Sequence, residues 1–74
     1  MAQVSDTTLV EEVRRSLRAA GAEIERIADD SETVTIWFSF VVDPVDVTEA
    51  IRDLRLGLAQ RGMQRMFVSY LRLV

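Results

Sequence analysis

Near the start of the chain, apolar residues recur at helical spacing. Val10, Val13, Leu17 and Ala20 fall three or four residues apart and so share one helical face. Glu11, Glu12, Arg14, Arg15 and Arg18 take the opposite face, and Glu11 precedes Arg15 by four residues, the favourable order for an ion pair. Thr8-Leu9-Val10-Glu11 has the form of a capping box, with Asp6 as an alternative cap. Gly21 suits the left-handed position after the last turn. The spacing predicts a helix over residues 8–20, after a polar lead-in over 1–7.

The period then changes. Residues 22–28 read as a short, weak strand whose large apolar groups, Ile24 and Ile27, fall on different faces under strict alternation. Asp29-Asp30-Ser31-Glu32 is a polar turn. Residues 33–42 are the clearest strand, β-branched and aromatic almost throughout. Alternation assigns Val34, Ile36, Phe38, Phe40 and Val42 to the core, and Thr33, Thr35, Trp37, Ser39 and Val41 to the other face.

Asp43-Pro44 ends this strand, because proline donates nothing to a ladder, and Pro44 suits a first helical turn. Either Asp43 or Asp46 can cap the helix that follows, expected over 45–61 with Val47, Ile51, Leu54 and Leu58 as its buried stripe. Gly62 is the residue beyond its last turn. Gly57 lies inside, at a cost of about 1 kcal/mol relative to alanine; it reads as tolerated or as a place of close packing. Residues 63–74 form a last strand, apolar on both faces.

The expected fold is α+β, a two-layer sandwich in the order α-β-β-α-β, with a three-stranded mixed sheet and both helices on one face. The second strand, second helix and third strand make a β-α-β crossover with parallel strands. Geometrically this is a split β-α-β, ferredoxin-like sandwich without its first, central strand. Three arrangements could fill the gap: residues 2–4 as a short strand, direct pairing of the last strand with the second, or a strand from another chain.

Composition narrows the chemistry. At 74 residues, 49% of them hydrophobic and 28% charged, the chain has room for one domain and is too apolar for a disordered tail. It has neither Cys nor His, so thiolate metal sites, cysteine nucleophiles, a Ser–His–Asp triad and histidine switches are excluded. All nine basic residues are arginine, which excludes Schiff-base and P-loop lysines. No catalytic residue, cofactor or metal is expected, and Asp43, Asp46 and Glu49 are accounted for by capping and the helix dipole. The apolar runs are too short to span a membrane, and no leader pattern opens the sequence. A cytoplasmic location is expected.

A net charge of −3 argues against nucleic acid as a partner. The alternative to set beside it is anion contact through Arg14, Arg15 and Arg18, either to nucleic acid or to a phosphate ligand, and a small-molecule regulatory domain is a third reading. The feature that stands out is the uncovered sheet face. Trp37 and Val41 lie there from the second strand, joined by either Phe67, Leu71 and Leu73 or Met66, Val68, Tyr70 and Val74 from the third. Burying an aromatic side chain removes about 150–250 Å² from water, roughly 4–6 kcal/mol for Trp37. A core of this size supplies only about 3–5 kcal/mol. The expected function is therefore a non-enzymatic interaction module that homodimerises or docks onto a protein partner, with Trp37, Val41, Met66, Phe67, Tyr70 and Leu71 as its interface candidates.

Overall fold

The computed structural model describes residues 3–30 and 32–71, with side chains from Leu9 onward. Its elements run α1 (Gln3–Ala19), β1 (Ala22–Asp29), β2 (Thr33–Val41), α2 (Pro44–Gln60) and β3 (Met66–Leu71). The α+β class, the α-β-β-α-β order and the three-stranded mixed sheet are as expected. β2 is central, antiparallel to β1 and parallel to β3.

Direct pairing of β3 with β2 closes the gap in the sheet. Residues 3 and 4 lie in α1, so the expected polar lead-in and the short strand at 2–4 give way to helix from Gln3 on. Thr8 is therefore inside the helix, and the capping box does not form at its start. Extending an established helix adds one hydrogen bond per residue fixed, which favours growth over a second, isolated strand.

One core joins both helices to one face of the sheet. Leu9, Val13 and Leu17 of α1 and Val47, Leu54 and Leu58 of α2 are buried with Ala22, Val34, Ile36 and Phe38. Val13, Val34 and Ile36 have no exposure at all. α1 ends at Ala19, and the chain turns at Gly21, whose φ of 89° is the left-handed conformation open to glycine. Asp43 rather than Asp46 caps α2: its Oδ1 accepts from the Val45 N–H at 2.9 Å, with Pro44 in the first turn. Gly62, with φ 78°, follows the end of α2. A side chain at Gly57 would meet nothing within 4 Å, so no close packing calls for glycine there.

Two departures from strict alternation reshape the β1–β2 hairpin. The pairing runs Glu23↔Phe40, then Ile24↔Phe38, then Arg26↔Trp37, so Ser39 is passed over on β2 and Glu25 on β1. Each strand gains one residue, and the register is the same on either side of the irregularity. Ile24 and Ile27 consequently both pack on the core, where even alternation would have separated them. On β2 the expected assignment reverses beyond Phe38. Val41 packs against the core, while Phe40 and Val42 are 55% and 68% exposed.

Two ion pairs tie elements together. Arg61 reaches Glu12 of α1 at 3.0 Å, on the surface. Arg65, just before β3, donates to Asp29 at the end of β1 at 3.2 Å, with the carboxylate side chain only 5% exposed. This second pair links the two outer strands past β2. Among the described residues, Glu12 rather than Glu11 is the α1 carboxylate in a salt bridge. No helix there is long and apolar enough to cross a membrane.

Candidate interaction surface

Paired residues share a face, so the register assigns the side of the sheet that neither helix covers. Arg26, Trp37 and Tyr70 form one row across all three strands. Ala28, Thr35 and Val68 form the next, and Thr33 pairs with Met66 beyond it. On the other side of the Trp37 row, Phe40 pairs with Glu23.

The Trp37 row is tightly built. The Arg26 guanidinium carbon lies 4.4 Å from the centroid of the Trp37 ring. Tyr70 stacks on the indole with ring centroids 5.8 Å apart and planes 19° from parallel. A cation over an aromatic face contributes about 0.5–1 kcal/mol when exposed and more when water is removed. Arg26 faces the indole in the same register that pairs Ile27 with Ile36. Trp37 is half-buried as a result, sheltered at its flanks by two neighbours of its own sheet. Phe40, Met66 and Tyr70 on the same face are each more than half exposed.

Of the interface candidates, the structure brings Trp37, Met66 and Tyr70 together on the open face. Val41 and Phe67 instead pack on the core, and Leu71 lies on the helix side, 49% exposed. The ambiguity over β3 is thereby resolved: Met66, Val68 and Tyr70 face outward, and Phe67 and Leu71 face the helices. Leu73 and Val74 lie outside the described residues. Sequence reasoning missed Phe40, which it placed in the core, and Arg26, which carried no signal of its own. The two-residue gap between Ile24 and Ile27 was the one trace of the irregularity that turns Phe40 outward.

The α1 arginines divide. Arg14 and Arg18 line a groove with Glu23, Ile24 and Ser39, while Arg15 is exposed elsewhere. Glu23 also lines that groove, which sets an acidic residue beside the two arginines. At the hairpin tip, Asp30 Oδ1 accepts from the Glu32 N–H at 2.8 Å and the Thr33 N–H at 2.7 Å. These backbone bonds hold the Asp30 carboxyl below its ordinary value. The acidic turn is thus a structural Asx turn. Among the described residues, no group of three or more His, Cys, Asp or Glu is placed to hold a metal ion.

Comparison with protein-family models, with curated proteins and with solved structures finds no significant match.

Proposed function

We propose that this chain is a non-enzymatic protein–protein interaction module that docks through its open sheet face around Trp37. The observation that supports this reading is the set of Phe40, Trp37, Tyr70, Val68 and Met66 on one face that neither helix covers. Antiparallel and mixed sheets that face water usually present polar residues there. Here a stacked aromatic row stands in their place, bordered by Arg26 and Glu23. Tryptophan, tyrosine and arginine are the side chains that dominate binding energy when an interface dries. The fold reads as a ferredoxin-like split β-α-β sandwich that has lost its first central strand and closed up, leaving this face bare.

Sedimentation velocity and affinity capture with wild type, Trp37→Phe and Trp37→Ala test the reading. The wild type is expected to engage a protein surface, whether a second copy or another protein. Trp37→Phe keeps much of that binding, and Trp37→Ala loses it while retaining its circular dichroism spectrum. Monomers in all three, with no captured protein that depends on Trp37, would overturn it.

A further inference from the structure

The open face is not the only unpartnered surface. β3 pairs with β2 alone, and its other edge is free among the described residues. The direction of its backbone groups follows from one bond: the Met66 N–H donates to the Glu32 carbonyl at 2.8 Å, toward β2. Backbone groups alternate in direction along a strand. Met66, Val68 and Tyr70 therefore bond inward to β2. Phe67, Ser69 and Leu71 point their N–H and C=O groups outward.

This edge lacks the usual protections. Met66–Leu71 contains no charge and no proline, and its pairing with β2 proceeds without a shift in register. Flat, uncharged edges of this kind are templates for another strand. Three of its residues, Met66, Tyr70 and Leu71, are large apolar groups left substantially exposed. Leu71 is half exposed although it lies on the helix side, so α2 leaves the outer margin of the core open.

We propose that a second copy of this chain pairs with this edge, antiparallel, about a two-fold axis at Ser69. The strand is complementary to itself in that register. Ser69 then lies opposite its own counterpart. Phe67 faces Leu71 of the second copy on the helix side, and Val68 faces Tyr70 of the second copy on the open side. All three outward-pointing residues of each strand are used, giving about six backbone hydrogen bonds. Within residues 67–71 apolar groups meet apolar groups on both faces, and no like charges oppose. Moving the axis to Val68 would instead set Leu71 against Arg65, which is already held by Asp29. The pairing is isologous and closes at two copies. It also merges the two Trp37 faces into one broad sheet surface, without depending on that face for docking.

Sedimentation equilibrium over a concentration series tests the proposal with wild type, Ser69→Pro, Ser69→Lys and Phe40→Ser. Proline at 69 removes an outward N–H and leaves the β2 ladder whole. Lysine at 69 sets like charges against each other across the axis without touching the backbone. The wild type is expected to dimerise. Both Ser69 variants should weaken association at least about tenfold with unchanged circular dichroism, and Phe40→Ser should dimerise as the wild type does. A wild type that stays monomeric overturns the proposal, as does a dimer that survives both Ser69 changes. Loss of the dimer in Phe40→Ser but in neither Ser69 variant would also overturn it, and would place the contact on the open face.

Discussion

β1 and β3 both border the sheet, yet they are made of different material. β1 (Ala22–Asp29) carries Glu23, Glu25, Arg26 and Asp29 along its length and is interrupted by a bulge. β3 (Met66–Leu71) is uncharged and pairs without interruption. Charges and bulges are the means by which natural sheets discourage edge-to-edge pairing. The same bulge has a second use, because it brings both isoleucines of β1 onto the core and turns Phe40 to the open face. One edge is therefore shaped to serve the interior and the face, and the other keeps its pairing capacity. The difference shows that an irregularity in a strand can be the more functional feature, and regularity the more exposed one.

Four experiments press on this contrast, from the largest expected effect to the smallest. Val68→Pro removes an N–H that bonds inward to β2, and should cost about 2–4 kcal/mol in urea unfolding through the lost bond and the strain of the ring. Ser69→Pro, one residue on, should cost less than about 1 kcal/mol under monomeric conditions, which would demonstrate that the two sides of β3 differ. Asp29→Ala unties the outer strands and leaves Arg65 without its partner in a site where its side chain is only 15% exposed. A loss of about 1–3 kcal/mol in chemical denaturation is expected. Arg26→Ala should cost about 0.5–1 kcal/mol. It should also shift the emission of Trp37, the sole tryptophan, to the red as the indole meets water. An unchanged spectrum would show that the guanidinium does not shelter the ring.

The fourth experiment concerns the turn that joins β1 to β2. Because the Glu32 and Thr33 amides depress the Asp30 carboxyl in the folded chain, the unfolded chain takes up that proton more readily. The resulting stabilisation is present above the ordinary carboxylate value of 3.8 and is lost as pH falls through the lower folded value. Asp30→Asn should therefore flatten the decline of stability between pH 4 and pH 2, a range chosen from roughly where carboxylates titrate. An identical acid profile in the variant would remove Asp30 from the account.

Much of the fold was legible in the chain. The helical stripe of Val13 and Leu17, the alternation of Val34, Ile36 and Phe38, and the punctuation by Gly21, Pro44 and Gly62 reflect local geometry that repeats with a fixed period. What escaped was whatever breaks a period. Strict alternation put Phe40 inside and Val41 outside, because nothing in the residue types announces that Ser39 is passed over. The face of β3 could not be chosen from a strand that is apolar on both sides; it took the register with β2 to turn Tyr70 toward Trp37. The Asp29–Arg65 pair joins residues far apart in the chain, and only the topology brings them together. Of the open face, Trp37, Met66 and Tyr70 could be named in advance, whereas Phe40 depended on the bulge and Arg26 on the register of β1 with β2.

The topology also orders the chain's assembly in time. β1 and β2 meet across a tight turn, whereas β3 reaches β2 only after the 17 residues of α2 have been traversed. Closing the longer segment costs more entropy, so the parallel contact forms more slowly than the hairpin. During that interval a newly made β3 is bare along both margins. Crowded chains emerging together could then exchange this strand before each has claimed its own, so dilution during refolding should raise the yield of correctly formed product.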